Sequence, residues 1–249
     1  MFLEVRNLKK EYLVEGIFTR EKKVILNDVS FFVPEGEVLS IVGESGAGKS
    51  TIGQIILQIK RATSGEIIFM GKPLCESKIS DIQMIFQDPY SSLNPAMKIK
   101  DILAEPLRGS GIKNKNILEE KVDNIMKEVW LEESYKNKYP SELSGGQRQR
   151  VGIGAAMILN PKLVVCDEPV ASLDLSIQNQ ILSLLKKFNR ENNTTIIFIS
   201  HDLGVVYNIS DRVLLLYKGE VQEIQKTENF FKNPKSEYGK YFLDGVLVP

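Results

Sequence analysis

The sequence predicts an α/β protein: a core with a mostly parallel sheet, a β-rich segment ahead of it and a helical segment inserted into it. Three observations lead there. Gly43-Glu44-Ser45-Gly46-Ala47-Gly48-Lys49-Ser50-Thr51 fits the phosphate-loop pattern G-x-x-x-x-G-K-[ST] without mismatch. It stands between an apolar run rich in β-branched residues, 38–42, and a segment with helical character, 50–57. Two further continuous apolar runs, 163–166 and 194–199, read as strands buried on both faces, as in parallel sheets. Strand and helix alternate through this part of the chain, which is the pattern of such a sheet.

The elements follow in order. Residues 2–8 alternate apolar and polar as a half-buried strand does, and 15–23 form a polar hairpin loop. Strand character resumes at 24–26 and 29–33, and Pro34-Glu35-Gly36-Glu37 turns the chain into the strand before the phosphate loop. Beyond the loop helix, 63–66 is a turn, 66–70 a strand, and 81–86 a strand that ends at Gln87. Residues 88–95 are dense in helix and strand breakers and form a loop. Helices are expected at 99–107 and 114–131, the second with Ile117, Leu118, Val122, Ile125, Met126, Val129 and Trp130 near one face. Residues 88–147 thus form the helical insert, and the helix after it starts at Arg148. Residues 175–190 are helical, 213–217 and 221–224 a terminal hairpin, and 226–249 a polar tail with two apolar patches. Residues 1–87 and 148–225 supply the core with its β subdomain, so the whole 249 residues make a single domain.

Composition narrows the function. With 43% hydrophobic residues the chain can bury a proper core. Lys plus Arg and Asp plus Glu both number 32, so no basic excess points to nucleic acid. The two cysteines, Cys75 and Cys166, have no metal-ligand spacing and read as reduced thiols of a cytosolic protein. Met1-Phe2-Leu3-Glu4-Val5-Arg6 lacks the parts of a signal peptide, and no apolar run nears the roughly 18–20 residues needed to span a bilayer. A membrane role is therefore expected to come through a partner.

The residue types of the phosphate loop have physical reasons. Glycines let the backbone turn tightly and approach phosphates. Backbone N–H groups and the positive end of the following helix then face the anion. Lys49 can reach the β- and γ-phosphates, and Ser50 can ligate Mg²⁺. Ligands of parallel sheets sit beyond the carboxyl ends of the strands, and Gln87, Asp167-Glu168 and His201 all fall there. Asp167 is placed to hold Mg²⁺ through a water, and Glu168 to polarise a water for attack on the γ-phosphate. His201, the only histidine, directly follows a buried strand, where a neutral imidazole can reach the γ-phosphate or the attacking water. Tyr12 can stack on a base or can simply be packed, and the residues by themselves leave that open.

At this point the sequence resembles the ATP-binding-cassette ATPases, the motor subunits of ABC transporters. Leu143-Ser144-Gly145-Gly146-Gln147 matches that family's signature motif, followed by Arg148-Gln149-Arg150 and then Asp167-Glu168-Pro169. Ser172-Leu173-Asp174 resembles the D-loop, Gln87 the Q-loop, His201 the switch histidine and Tyr12 the A-loop aromatic. The resemblance spans residues 2 to about 225 with every motif in family order. It implies a RecA-like phosphate-loop NTPase core, ATP and Mg²⁺ as cofactors, and a head-to-tail dimer. In such a dimer each ATP lies between residues 43–51 of one subunit and Ser144, Gly145, Gly146 and Gln147 of the other, with Asp174 alongside. Gln87 would join Ser50 and Asp167 at the metal, and Tyr12 would stack on adenine.

A narrower resemblance lies in Phe86-Gln87-Asp88-Pro89-Tyr90-Ser91-Ser92-Leu93-Asn94-Pro95, which is similar to the loop of importers of oligopeptides, dipeptides and nickel. It implies a second ATPase subunit (a paralogue or a second copy), two transmembrane permeases, an extracellular substrate-binding protein, and a place on the cytoplasmic face of the membrane. Peptides, nickel or a metal–metallophore complex would be the cargo. The chain departs from the family pattern at Ala155, where an arginine is usual, and at Val170-Ala171-Ser172, which replaces T-S-A. An ABC ATPase working outside transport, or a cassette that binds without hydrolysing, are the competing readings. A lone cassette without heptad runs speaks against the first. Intact Lys49, Asp167, Glu168 and His201 speak against the second.

Overall fold

The computed structural model describes residues 2–15, 20–88 and 92–247. In chain order its strands and helices are β1 (Leu3–Glu15), β2 (Arg20–Val33), β3 (Val38–Val42), α1 (Lys49–Ile56), β4 (Ser64–Phe69), β5 (Lys72–Pro73), β6 (Ile82–Ile85), α2 (Ile99–Gly109), α3 (Lys115–Glu128), α4 (Gly145–Met157), β7 (Leu163–Asp167), α5 (Leu175–Asn192), β8 (Thr195–Ile199), α6 (Leu203–Ile209), β9 (Arg212–Tyr217), β10 (Glu220–Lys226), α7 (Thr227–Lys232) and α8 (Glu237–Leu247). They divide into two compact units, residues 1–77 with 195–249, and residues 78–194.

In the first unit β1 pairs antiparallel with β2 on one side and β4 on the other, in the order β2-β1-β4-β5. The long hairpin is kinked where Asn7 and Asp28 take left-handed φ of 47° and 54°. Asn7 Nδ2 donates to Asp28 Oδ1 at 2.6 Å across the slip in register. Asn and Asp tolerate that conformation because their short polar side chains bond locally. β2 begins at Arg20, so the polar loop expected over 15–23 is narrower than its composition suggested. Its residues 16–19 lie outside the described ones.

The same unit carries the parallel strands that position a site. β3 pairs parallel with β8, Val38↔Ile196 to Ile41↔Ile199, and with β9, Leu39↔Arg212 to Val42↔Leu215. All five residues of β3 and of β8 are buried. Each such Leu, Ile or Val side chain contributes roughly 1.5–3 kcal/mol on burial. α1 packs Ile52, Ile55 and Ile56 inward. Because β3 and β8 are in register, Gly43 and His201 each stand two residues beyond a paired position, at one sheet edge.

In the second unit β6 and β7 run parallel, Ile82↔Leu163 to Ile85↔Cys166, beside α2, α3, α4 and α5. This unit contains residues 88–147 but also β6, β7 and α5. The loop expected at 88–95 lies partly outside the described residues, at 89–91. α3 stops at Glu128, short of the expected 131. Trp130, at φ 57°, reverses the chain, with Trp130 N–H donating to Lys127 O at 3.1 Å and Leu131 N–H to Met126 O at 2.8 Å. This is a Schellman ending with tryptophan in glycine's usual place. Trp130 and Ile117 are exposed, so the buried face of the helix is Leu118, Val122, Ile125 and Met126.

The residues read as a polar tail instead form α7 and α8. Their two apolar patches are buried faces: Phe230, Phe242 and Leu243 join Val42, Leu203, Val206, Val213 and Leu215 in one cluster. Among the described residues no helix is long and apolar enough to cross a membrane. Cys75 is exposed, whereas Cys166 is fully buried and its burial pushes the thiol far above the ordinary range. A maleimide reagent should therefore modify about one thiol per native chain and two after denaturation, counted by intact-mass spectrometry.

Candidate functional site

The phosphate-loop residues form a turn that packing leaves no room to change. Gly43 has φ 148°, and a Cβ there would run into the Leu216 carbonyl oxygen. Gly48 has φ 106°, and a Cβ there would lie 2.6 Å from Leu26 Cδ2. Gly219 N–H donates to Ala47 O at 3.1 Å and holds the loop from behind. α1 starts at Lys49 with no side chain capping it, and a helix start of this kind favours an anion. Lys49 is buried to its tip, where Nζ donates to Gly43 O at 2.8 Å and Glu44 O at 2.9 Å. Glu44, Ser45, Gly46 and Ser50 are exposed around it, Thr51 is half-buried, and Ala47 is buried.

Beside this loop β8 delivers Ser200, His201 and Asp202. His201 is exposed at the strand end. Asp202 caps α6 by accepting from Val205 N–H at 3.1 Å. Tyr12 lies on β1 opposite Lys23. Lys10 Nζ and Lys60 Nζ stand 4.8 and 5.5 Å from its ring centroid, an aromatic platform with two cations over it.

The second unit brings Gln87, Asp167 and Glu168 to the carboxyl edge of β6 and β7. Gln87 Nε2 donates to Glu168 Oε2 at 3.2 Å. Glu168 has φ 47°, a conformation that costs a non-glycine residue about 1–3 kcal/mol and persists only where its surroundings enforce it. The carbonyls that follow it are held by two glutamines to which the sequence alone gave no role. Buried Gln149 donates to Pro169 O at 2.8 Å. Gln178 Nε2 donates to Val170 O and Leu173 O, both at 3.1 Å. The signal was present in the sequence: Gln149 and Gln178 are uncharged polar residues on the packed faces of α4 and α5.

Ser144, Gly145, Gly146 and Gln147 begin a helix. α4 starts at Gly145 and not at the expected Arg148, because Ser144 and Gln147 close a capping box. Ser144 Oγ accepts from Gln147 N–H at 3.3 Å, and Gln147 Oε1 accepts from Ser144 N–H at 2.9 Å. Gln147 Nε2 also donates to the Tyr135 hydroxyl at 2.8 Å, so both ends of this amide are already engaged within the second unit. The Ser144 hydroxyl proton is not needed for the cap and can serve an anion. Gly146 has a second reason to be glycine: a Cβ there would lie 2.6 Å from Ile177 Cγ2. Asp174 accepts from Ile177 N–H at 3.0 Å and caps α5. That local task competes with any role at a nucleotide.

No group of three or more His, Cys, Asp or Glu that could hold a metal occurs among the described residues. The Ser50 hydroxyl in the first unit, and the Gln87 amide and Asp167 carboxylate in the second, are each hard oxygen donors of the kind Mg²⁺ prefers. Within the first unit, the glycine loop and Lys49 suit the phosphates of a nucleoside triphosphate.

The family model described as ABC transporter matches residues 26–171. The chain belongs to the ABC transporter family. Within that family it is 41% identical over 257 residues to an oligopeptide transport ATP-binding protein, AppF, of Bacillus subtilis (strain 168), covering 99% of this chain and 78% of that one. It is 43% identical over 262 residues to OppF, another oligopeptide transport ATP-binding protein, of Salmonella typhimurium (strain LT2), covering 100% and 78%. A solved dimeric ATP-binding cassette in a post-hydrolysis state with ADP and Pi superposes with TM-score 0.80 at 30% identity, over 91% of this chain and 99% of that one. A Clostridium perfringens subunit, part of an ABC transporter complex, superposes with TM-score 0.79 at 28% identity, over 100% and 96%. The ABC chain described here therefore has the phosphate-loop NTPase fold with its antiparallel β subdomain and helical insertion, binds ATP and is an ATPase.

The packing at Gly146 makes a prediction for this ABC signature. Gly146→Ala should lower stability by about 1–3 kcal/mol in urea unfolding, the size of a local overpacking. Adding Ile177→Ala should recover part of that loss by making room, a non-additivity that a change in exposed backbone would not produce.

Proposed function

We propose that this chain is the ATP-hydrolysing subunit of a membrane importer of oligopeptides. The observation that carries the reading is the 41–43% identity, across nearly the whole chain, to oligopeptide transport ATP-binding proteins. Lys49, Asp167, Glu168 and His201 support it, since all four stand at strand ends or at the loop helix with functional side chains intact. Nickel and metallophore cargoes have no comparable support, and peptides are the cargo of choice.

The proposed chemistry begins at Lys49, whose ammonium exchanges the carbonyls of Gly43 and Glu44 for β- and γ-phosphate oxygens. The N–H groups at the start of α1 bind the same anion. Ser50, Gln87 and Asp167 would hold Mg²⁺, which neutralises charge across the β- and γ-oxygens when bound. Glu168 orients a water and takes its proton on the carboxylate. The Gln87 amide bonded to Glu168 sets that carboxylate's starting position and links it to the loop that follows. His201 supplies a hydrogen bond to the γ-phosphate or to the water. In a head-to-tail dimer the Ser144 hydroxyl and the first N–H groups of α4 complete the cradle of the facing subunit. ATP then joins two cassettes, and hydrolysis lets them part. Two permeases at the membrane read that opening and closing, and an extracellular binding protein delivers the peptide. The partner cassette is a paralogue or a second copy.

Glu168→Gln tests the assignment. The variant should hydrolyse ATP at least about a hundredfold more slowly, given the 10²–10⁴ typical of a general base. It should also accumulate an ATP-dependent dimer on size-exclusion chromatography. Turnover at the original rate would remove Glu168 from the mechanism. For the cargo, deleting the gene should abolish uptake of labelled oligopeptides by whole cells, and unchanged peptide uptake with lost nickel uptake would replace the peptide reading.

A further inference from the structure

Tyr12 stands where β1 meets the chain that leaves α1, the helix whose start carries Lys49. That chain is closed onto the end of the helix. Gln58 reverses it at φ 58°, and Ile59 N–H and Lys60 N–H both donate to Gln54 O, at 2.9 and 3.1 Å. It is then stitched to β1 at three successive residues. Thr63 N–H donates to Lys9 O at 2.8 Å, Lys10 Nζ donates to Arg61 O at 2.8 Å, and Glu11 N–H donates to Thr63 Oγ1 at 2.9 Å. The backbone of β1 at this point is therefore fixed relative to α1, and through α1 to the phosphate loop.

The ring of Tyr12 is held by different means. Lys10 and Tyr12 are two residues apart on a strand and share a face. The ammonium that bonds Arg61 O is also the one 4.8 Å from the Tyr12 ring centroid, and Lys60 brings a second to 5.5 Å. The carboxylate between them in sequence, Glu11, is engaged by Lys9 at 2.8 Å and Lys22 at 3.5 Å. The Tyr12 hydroxyl is buried and has no hydrogen-bond partner among the described residues. Its hydroxyl thus does not orient the ring, and the cations over its face do.

A base gains most from stacking on a ring that is already in place, because ordering a loose side chain at binding subtracts from the contact. We propose that Lys10 is a positioning residue for the nucleobase: pinned to the Arg61 carbonyl, its ammonium holds the Tyr12 ring at a fixed place relative to α1, so that base and phosphates are met in one geometry. Lys10 acts on the base through the ring and has no part in binding the phosphates. This rests on the reading of Tyr12 as the residue that stacks on the base.

The test is isothermal titration calorimetry on the full chain with Mg²⁺, using ADP and, separately, tripolyphosphate, which has phosphates but no base. Lys10→Met keeps an apolar stem and removes the ammonium. It should weaken ADP about three- to tenfold, the range of a half-buried cation–π contact, and change tripolyphosphate less than about twofold. In a Tyr12→Ala background the same substitution should cause no further loss of ADP affinity. A general loosening of the structure would instead weaken both ligands alike. Unchanged ADP affinity in Lys10→Met, an equal loss for the two ligands, or a loss undiminished in the Tyr12→Ala background overturns the proposal. Tyr12→Ala separates the two readings. If it binds ADP as tightly as the parent, the stacking role of Tyr12 fails and the proposal with it. If it weakens ADP while Lys10→Met does not, the proposal alone fails.

Discussion

The phosphate loop is shaped by its rear contacts. Gly43 lies against the Leu216 carbonyl, Gly48 against the Leu26 side chain and the Ile25 carbonyl, and Ala47 O is bonded to Gly219 N–H. Neither glycine has space for a Cβ. An anion cradle made of N–H dipoles is effective only when the dipoles already point inward, because any reorientation at binding subtracts from the interaction. The tight rear therefore allows a front formed by exposed Glu44, Ser45, Gly46 and Ser50 to be both open and rigid. The first unit supplies this brace from elements far apart in sequence, with β2, β3 and the β9–β10 turn meeting behind residues 43–48.

The second unit solves a similar problem with side-chain amides. Glu168 occupies a left-handed conformation that no local preference favours. Gln149 and Gln178 hold the carbonyls of Pro169, Val170 and Leu173, and so fix the peptide units on its C-terminal side. Amides suit that task, since they donate to carbonyls without bringing charge next to a carboxylate whose use depends on its own charge. Gly146 joins the same arrangement through Ile177, so the start of α4 and the first turns of α5 are packed as one piece.

What could be read in the sequence follows from the range of the interactions. Residues 43–51, 87, 167–168 and 201 were legible because each is a short motif at a strand end, and burial on both faces makes such strands continuous apolar runs. Helix starts were less legible. Gly145 and Gly146 read as loop by propensity, yet the Ser144–Gln147 box and the packing of Gly146 on Ile177 draw them into α4. The end of α3 was missed for the opposite reason, since Trp130 looks like one more apolar position but serves as the reversing residue. The tail was misread because its apolar patches are spaced for two short helices, and their partners, Val42 and Leu215, lie far upstream or on another element. Gln149 and Gln178 were legible as uncharged polar residues on packed helix faces, but which carbonyls they hold is set by the fold.

Charge is the remaining constraint on the loop. A site for a triphosphate collects positive potential from a helix start and a lysine, yet this chain places Glu44 within that same loop. Glu44 is exposed at the front of the loop, while its backbone carbonyl accepts from Lys49 Nζ, so the residue's main chain and its charge face different tasks. The acceptors of the Lys49 ammonium include the Gly43 and Glu44 carbonyls, neutral groups that a phosphate oxygen outcompetes because a hydrogen bond between two charged groups is the stronger.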